Sequence, residues 1–522
     1  MKKLPIGIAT FSKIRDTDEN YAYVDKTDIA NHLIENGSYY FLSRPRRFGK
    51  SLFLDTLAEI FQGNKELFEG LAVYDKWDWK QKYPVIRISF GSGDFKNEEG
   101  IKSKIRSIII NNAEELSLDL DIESPTVRDD IFGTLLKHTY KKYKQKVVVL
   151  IDEYDKPVLD NISNKEQALI ARDMLKNFYS AIKDSDRYIR FVFITGVSKF
   201  SKMNLFSGLN NLEDITLKKD YATITGYTHK NLKDVFGERL KGVDLEKVKK
   251  WYNGYNYFGD PIYNPFDILL FLSNDCEFQN YWWGTGNPSF LIEKLKEQNY
   301  YLPDLENIKV GQETLDCFDV DKIDIVALLW QTGYLTFDKK LDFAGKIRYK
   351  MKVPNLEILN SLNTLFFDYL IDLNGDKGHK ETAILESLLE NDFEKFKVTL
   401  TSLFASIPYN NYTNNLIANY EGYYSSVVFT FLASLGFDVV AEDTTNRGRI
   451  DLTIKAPNST WIIEFKVDSP DSAIKQIKEK RYFEKYQDEG MDIYLVGISF
   501  DSESKNISDF VWEQYNDKSQ EL

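Results

Sequence analysis

Cysteine is scarce in this 522-residue sequence, which contains only 2 such residues, Cys276 and Cys317. These two thiols do not have the spacing of metal ligands, and so low a cysteine content fits a reducing compartment without disulfides. The sequence also lacks an apolar run long enough to cross a membrane, and no apolar stretch follows its first lysines as in a signal peptide. We therefore expect a soluble, cytoplasmic protein of a reducing compartment, with no membrane partner.

An excess of positive charge is also missing. The net charge is -13, which argues against a non-specific nucleic-acid coat, because such proteins neutralise phosphates with Lys and Arg. It does not exclude a nucleic-acid site, since binding requires only a local basic surface. The length is sufficient for about three to four domains, and the 43% of hydrophobic residues supply ample core material.

A phosphate-binding loop is present without its first glycine. The usual pattern is G-x-x-x-x-G-K-[ST], and Arg44 occupies the first Gly position of a stretch that ends in Lys50 and Ser51. An apolar run at 39–43 predicts a buried strand before the loop, and apolar residues at helical spacing predict a helix after it, up to Gly63. Such a turn directs backbone N–H groups at a phosphate. The alternative is an ordinary basic loop.

This loop predicts a site for ATP and Mg²⁺. Lys50 is expected to reach the β- and γ-phosphates, and Ser51 is expected to bind Mg²⁺. The missing Gly and the Pro45 ring, which has no N–H, remove flexibility and one phosphate donor. ATP binding is therefore better supported than hydrolysis. The residues of the loop expected to bind the nucleotide are Arg46, Arg47, Phe48, Gly49, Lys50, Ser51 and Leu52.

Two further strands end in polar residues. The β-branched run at 146–151 is typical of a central parallel strand and ends in Asp152 and Glu153, at the sheet edge where α/β folds bind ligands. We expect Asp152 to hold Mg²⁺ through water and Glu153 to orient the attacking water as a base; a strand that simply meets a polar loop is the alternative. The strand at 189–196 makes Thr195 a candidate sensor of the γ-phosphate, or else a strand-end turn residue.

The last quarter of the chain has its own order of elements, αβββαβ. The predicted elements are a helix at 421–435, strands at 437–441, 448–454 and 461–467, a helix at 472–486 and a strand at 492–499. Asp451 and Glu464 then lie on adjacent strands, and Lys466 shares the face of Glu464 because side chains two apart on a strand point the same way. Two carboxylates can hold Mg²⁺, which activates a water, and Lys466 can stabilise the transition state. The alternative is a solvated hairpin that carries these charges by chance.

These motifs resemble two known families. The segments that carry the first resemblance, to the bacterial AAA-ATPase-like proteins, are 23–27, 44–51, 150–155 and 195–200. In that family a nuclease domain commonly follows the ATPase. The C-terminal element order, with Gly-Arg-Ile-Asp at 448–451 and Glu-Phe-Lys at 464–466, resembles the restriction-endonuclease-like core of the PD-(D/E)XK nuclease superfamily.

The nuclease resemblance implies further site residues. Glu421 corresponds to an additional acidic metal ligand of the family. Gln476 and Tyr482 correspond to helix positions that support the site, although they lie further apart than their counterparts in related nucleases.

Basic residues near the predicted nuclease site form either a phosphate-facing surface or a solvated helix face. These residues are Arg447, Arg449, Lys475, Lys478, Lys480, Arg481 and Lys485.

The sequence thus predicts an α/β protein of three domains. They are a P-loop AAA-like ATPase domain with a parallel sheet at 1–207, a helical and winged-helix-like lid region at 208–373, and a restriction-endonuclease-like domain at 374–522. We expect ATP binding and hydrolysis coupled to Mg²⁺-dependent hydrolysis of DNA. The alternatives are a nucleotide-dependent switch or scaffold that binds nucleic acid or protein without cleaving it, and a plain ATPase that acts on protein partners. In a homo-oligomer, Arg187 or Arg190 could reach the ATP of a neighbour.

Overall fold

A computed structural model of the chain shows two compact units. It describes residues 1–122, 124, 130–199, 205–206, 209–282, 308–316, 318–319, 322–343, 345–370, 377–407, 421–469 and 472–515. The described residues up to Glu357 form the first unit, and those from Ile358 onward form the second. The division into three domains at 207 and 373 stays a prediction.

A five-stranded parallel sheet organises the first unit. Its strands are β1 (Tyr39–Ser43), β2 (Val85–Ser89), β3 (Val147–Asp152), β4 (Ile189–Gly196) and β5 (Glu213–Asp214). They lie in the order β2-β3-β4-β1-β5. β1 and β3 are buried along their whole length, as expected for strands covered on both faces. Because Leu42 pairs with Thr195 and Ser89 pairs with Asp152, the carboxyl ends of four strands meet at one edge.

Helices precede and connect these strands, since parallel strands require crossover connections. They are α1 (Phe11–Arg15), α2 (Thr27–Asn36), α3 (Lys50–Gln62), α4 (Glu98–Glu115), α5 (Ile131–Tyr143), α6 (Lys156–Leu159) and α7 (Lys165–Asp184), with 3-10 turns at Lys65–Phe68, Asp186–Tyr188 and Lys219–Tyr221. α3 begins directly after the phosphate-binding loop. Left-handed glycines flank it, Gly49 with φ 84° before and Gly63 with φ 76° after, which confirms the predicted helix and its C-cap.

After β5 the first unit continues with short helices and small sheets. The helices are α8 (His229–Phe236), α9 (Leu245–Tyr252), α10 (Pro265–Ser273), α11 (Gln312–Asp316) and α12 (Ile325–Thr332). The strands are β6 (Tyr227–Thr228), β7 (Ile262–Tyr263), β8 (Lys309–Gly311), β9 (Phe318–Asp319), β10 (Lys322–Ile323), β11 (Thr336–Phe343) and β12 (Lys346–Lys352). α12 and the antiparallel pair β11–β12 form a helix followed by a hairpin. The winged-helix assignment itself stays a prediction.

The second unit contains a mixed five-stranded sheet. Its strands, in spatial and chain order, are β13 (Asp438–Thr444), β14 (Arg449–Lys455), β15 (Ser459–Val467), β16 (Asp492–Asp501) and β17 (Asn506–Tyr515). Only β15 and β16 run parallel. The helices from the end of β12 onward are α13 (Leu356–Leu370), α14 (Lys377–Glu390), α15 (Phe393–Ala405), α16 (Glu421–Ser434) and α17 (Ser472–Lys480), with 3-10 turns at Tyr482–Lys485 and Gln487–Glu489.

The predicted α/β class and the αβββαβ order are confirmed, with two corrections in the second unit. The single helix predicted at 472–486 is wrong, because α17 ends at Lys480 and Arg481 takes a left-handed backbone with φ 50°. β17 escaped prediction because half of its side chains are polar, and only Phe510 in this strand is buried. Among the described residues, no helix is both long enough and apolar enough to span a membrane.

Candidate functional site

The phosphate-binding loop borders a cavity of about 450 Å³ at the carboxyl edge of the parallel sheet. The loop residues that line it are Arg46, Arg47, Gly49, Lys50, Ser51 and Leu52. Glu153 and Asp155 line it after β3, and Val197 lines it after β4. The apolar and aromatic walls are supplied by Pro5, Gly7, Ile8, Ala9, Tyr227, Pro265, Phe266 and Leu269. Charged groups beside an aromatic wall suit a ligand that carries both phosphates and a base.

Lys50 provides a buried positive charge at this cavity. It is only 6% exposed, and its Nζ donates to the carbonyl oxygens of Arg44 (3.1 Å) and Pro45 (2.9 Å). Burial lowers the pKa of Lys50, and the charge of Asp152 opposes this effect. Ser51 follows at the start of α3 and lines the same cavity. The predicted pair Lys50 and Ser51 therefore lies together at the helix N-terminus.

Arg44, at the position of the missing glycine, anchors the loop. Its buried guanidinium donates to the carbonyl oxygen of Thr216 (2.9 Å) and lies 3.6 Å from the ring centroid of Tyr257. Burial lowers the pKa of Arg44 to about 10. The left-handed backbone of the loop occurs at Arg47 (φ 64°) and Gly49 (φ 84°), and Arg44 does not adopt it. The conformation of this loop therefore does not require a glycine at position 44.

Phe48 does not line the cavity, although the sequence placed it among the nucleotide ligands. Its ring is fully buried and packs edge-on against Tyr255, with centroids 4.8 Å apart. Its carbonyl accepts the N–H of Gly226 at 3.2 Å. The side chain thus anchors the loop, because burial of an aromatic ring is favourable. Arg47 does line the cavity, and its guanidinium lies 3.9 Å from the ring centroid of Phe266.

β3 brings two carboxylates to the sheet edge. Asp152 ends the strand, is 8% exposed, and accepts the N–H of Glu153 at 3.0 Å. Glu153 has a left-handed backbone with φ 50° and lines the cavity. Burial raises the pKa of Glu153, and the charge of Asp152 raises it further. This shift moves Glu153 toward the range of a base that works near neutral pH, and oxygen atoms of Ser51 and Asp152 are the ligands that Mg²⁺ prefers.

Thr195 lies at the same sheet edge but points into the sheet. It has no exposed surface, and its Oγ1 donates to the carbonyl oxygen of Leu42 at 3.0 Å. Leu42 is its register partner in β1. This hydrogen bond between neighbouring strands favours the strand-end interpretation over a sensor of the γ-phosphate.

Asp155 is a cavity residue that the sequence reasoning did not select. It is fully buried and accepts the N–H groups of Ser198 (2.7 Å) and Val197 (3.3 Å), as well as the Ser198 hydroxyl. Burial raises the pKa of Asp155, and the hydrogen bonds from Ser198 oppose this effect. A Cβ atom at Gly196 would lie 2.5 Å from Asp155 Oδ1. The sequence signal was the pair formed by an Asp after one strand and a Gly at the end of the next.

In the second unit, Asp451 and Glu464 lie opposite each other on β14 and β15. The register that pairs Leu452 with Ile463 brings them together, and their side chains are hydrogen-bonded. Asp451 Oδ2 also accepts the N–H of Phe465 at 2.8 Å. Glu464 is fully buried, and burial followed by the charge of Asp451 raises the pKa of Glu464 to about 9. The pair thus holds a proton at neutral pH when no cation is bound.

Lys466 lies on the same face, as the two-residue spacing predicts. Its Nζ is 3.8 Å from Glu464 Oε2 and donates to the carbonyl oxygen of Phe465 at 2.8 Å. Its side chain is 17% exposed, so the ammonium is sheltered but accessible. An ammonium beside the carboxylate pair can bind a phosphate oxygen.

Gln476 and Tyr482 support Glu464 from the side of α17. Gln476 Nε2 donates to Glu464 Oε2 at 2.8 Å, and Tyr482 is buried in hydrogen-bonding contact with Gln476. A Cβ atom at Gly448 would lie only 2.8 Å from the Tyr482 hydroxyl, so a glycine there admits the ring. The structure therefore brings together Asp451, Glu464 and the three other residues predicted around them.

The carboxylate pair fits a divalent cation. Glu464 Oε1 is buried with no hydrogen-bond partner among the described residues, an arrangement that costs free energy unless a cation or proton compensates it. Asp451 and Glu464 would hold the ion through oxygen ligands. Among the described residues, no group of three or more Asp, Glu, His or Cys side chains is arranged to hold a metal ion. Glu421 begins α16, but its side chain lies outside the described residues, so its role as a ligand stays a prediction.

In the described part of the second unit, six of the seven basic residues predicted near this pair, all except Lys480, are engaged with acids. Arg447 and Arg481 contact Glu484, at 3.4 Å and 2.6 Å. Arg449 contacts Glu442, and Lys485 contacts Asp443. Lys475 and Lys478 pair with Glu479 and Glu513. This mixed charge fits a solvated surface, and contact with phosphates stays a prediction.

Comparison with known proteins agrees with these two regions. A family model described as "Predicted AAA-ATPase" matches residues 5–206, and one described as "PD-(D/E)XK nuclease superfamily" matches residues 419–510. The chain is 45% identical over 515 residues to a protein of Azotobacter chroococcum mcd 1 described as "Uncharacterized protein in vnfD 5'region", covering 98% of this chain and 99% of that protein. The chain belongs to the same family as this Azotobacter protein, with an AAA-ATPase-like region at 5–206 and a PD-(D/E)XK nuclease superfamily region at 419–510.

Proposed function

We propose that the first unit binds and hydrolyses ATP. The observation that supports this is the cavity at the N-terminus of α3, where Lys50, Ser51 and Glu153 line one space. Lys50 and the loop N–H groups hold the phosphates, while Ser51 and Asp152 hold Mg²⁺. Mg²⁺ supplies neutralising charge on the phosphate oxygens. Glu153 accepts the proton of the attacking water, a role that its raised pKa favours.

We propose that the second unit hydrolyses phosphodiester bonds of DNA. The supporting observation is the buried pair Asp451 and Glu464 with an orphaned Glu464 Oε1 and Lys466 beside it. Asp451 and Glu464 would hold Mg²⁺, which would supply the positive charge that activates a water and neutralises the phosphate. Lys466 binds the phosphate oxygen on which charge develops. Gln476 fixes the orientation of Glu464.

Incubation of the full-length protein with Mg²⁺ and plasmid or branched DNA, with and without ATP, tests the nuclease proposal. Lys466→Ala is expected to abolish cleavage and to leave nucleotide binding intact. Lys395→Ala is a matched control, because Lys395 lies on α15, pairs with Glu386 and is not among the predicted phosphate-facing residues. Cleavage that survives both Asp451→Ala and Lys466→Ala would refute the assignment.

A second candidate function is a nucleotide-dependent switch that binds ATP without turnover. Two contacts favour it: Lys50 Nζ donates to carbonyl groups of its own loop, and the Thr195 hydroxyl is used inside the sheet. ATP turnover separates the two candidates. A working ATPase predicts turnover that Lys50→Ala abolishes, with bound ATP trapped by Glu153→Gln. Binding without turnover in the wild type supports the switch.

A further inference from the structure

A buried pair of carboxyl groups lies behind the phosphate-binding loop. Asp267 in α10 and Glu357 in α13 are each 1% exposed, and their side chains are hydrogen-bonded to each other. An ionised carboxylate can only accept a hydrogen bond, so the pair must hold at least one proton. Asp267 Oδ1 has no partner in the part of the chain that the structure describes. None of the residues assigned to catalysis above belongs to this pair.

Glu357 connects to the loop through two backbone groups. Its Oε1 accepts the N–H of Tyr281 at 2.7 Å and the N–H of Trp282 at 2.9 Å. Gly333, at the end of α12, lies between the Trp282 ring and Pro45 of the loop. A Cβ atom there would lie 3.0 Å from Pro45 Cβ and 3.1 Å from Trp282 Cη2. A displacement of Glu357 would therefore shift Trp282 and, through the close contacts at Gly333, also Pro45.

Asp267 connects to the same loop by a second route. Phe266, the preceding residue of α10, lines the cavity and lies under the Arg47 guanidinium at 3.9 Å. The charge of Arg47 also acts on Asp267, favouring its ionised form. Pro45 and Arg47 both belong to the phosphate-binding loop, so the two routes from the carboxyl pair meet at that loop.

We propose that Asp267 and Glu357 are positioning residues for the nucleotide site, an inference that rests on the ATP-binding function proposed above. By sharing a proton they join α10 to the Tyr281–Trp282 backbone, and this link holds Phe266 and Trp282 in place behind the loop. The loop is thereby set in the shape that receives the phosphates before the nucleotide arrives, which lowers the cost of binding.

The strength of this link depends on pH. Burial raises the pKa of Glu357 to about 7 and raises that of Asp267 well above its usual range. The other ionisable groups that face the pair are Arg47, Tyr252, Tyr255 and Tyr281. The tyrosines have raised pKa values. Glu357 is therefore the member that ionises near neutral pH, while Asp267 keeps the proton that it donates to Glu357, so the link strengthens as pH rises through about 7.

Titration of a fluorescent ATP analogue into full-length variants tests this inference. Asp267→Ala and Glu357→Ala are expected to weaken binding by about tenfold, the effect of losing roughly one buried hydrogen bond. Glu357→Gln keeps an acceptor for the two N–H groups and a partner for Asp267, so it should restore binding. Glu313→Ala is the matched control, because that glutamate is 72% exposed in the same unit.

The pH profile gives a readout that a merely structural role would not move. Wild-type affinity is expected to rise between about pH 6 and pH 8, because ionised Glu357 accepts the Asp267 O–H and the two backbone N–H groups more strongly, and Glu357→Gln is expected to remove that rise. If the alanine variants do not fold, an unchanged pH profile in Glu357→Gln overturns the inference by itself. Alanine variants that bind as tightly as wild type also overturn it. A wild type that binds no analogue would overturn the ATP-binding proposal as well.

Discussion

At the scale of single residues, Gly196 determines how closely the loops after β3 and β4 can approach. A Cβ atom at this position would lie 2.5 Å from Asp155 Oδ1 and 2.6 Å from the Tyr154 ring. Gly196→Ala is therefore expected to destabilise the first unit by about 1–3 kcal/mol, as overpacking does, and to weaken ATP binding. Urea denaturation measures the first effect. Gly378→Ala has no atom within 4 Å of its new Cβ and should leave stability unchanged or slightly improved.

Glu464 makes stability depend on pH in the metal-free protein. Its pKa in the folded state is about 9, well above the value of 4.5 for an exposed glutamate. Because the folded pKa is raised, the contribution of Glu464 to stability is present below about pH 4.5 and is lost as pH rises toward 9. We therefore expect Glu464→Gln to raise the melting temperature in EDTA more at pH 8 than at pH 5. An equal effect at both pH values would contradict the buried, protonated pair.

At the scale of elements, most of what the sequence predicts is set by local pattern. Runs such as Val147–Asp152 are buried strands because β-branched residues fill both faces of the sheet. The end of α17 could not be predicted, because the left-handed residue that ends it is Arg481 and not a glycine, which is the usual sequence signal. The directions of the Thr195 and Phe48 side chains also could not be predicted. They depend on Leu42 and Tyr255, which are neighbours in space and not in sequence. Asp267 and Glu357 are far apart in sequence, so no local pattern pairs them.

The contact between α17 and β16 positions the support of the carboxylate pair. A Cβ atom at Gly497 would lie 3.0 Å from Ala473 Cβ and 3.0 Å from the backbone N of Ile474. Gly497→Val is therefore expected to displace α17 and, with it, Gln476. The predicted result is a Mg²⁺ affinity of the full-length protein reduced by about tenfold or more, the loss typical of an altered outer-shell partner.

Isothermal titration of Mg²⁺ measures this loss, and circular dichroism reports whether the sheet remains. Val511→Ala is a matched control, since Val511 pairs with Gly497 in the neighbouring strand but is 37% exposed. Unchanged Mg²⁺ affinity in Gly497→Val would show that α17 does not position the site.

At the scale of the whole molecule, the chain carries two separate sets of chemical groups. The first unit offers a cation and a carboxylate in a cavity at a helix N-terminus, and the second offers a carboxylate pair with an adjacent lysine. Because the net charge is -13, the protein as a whole does not attract a polyanion, and DNA binding requires a local basic surface. Because each set is confined to one unit, a change in one should leave the chemistry of the other measurable.

Cleavage of DNA by the full-length protein in Mg²⁺, measured as ATP is added, tests the central claim most directly. The account predicts cleavage by the wild type that Lys466→Ala abolishes, and a dependence of the cleavage rate on ATP that Lys50→Ala removes. Cleavage by Lys466→Ala at the wild-type rate, or no cleavage of any DNA by a wild type that binds Mg²⁺ and ATP, would contradict it.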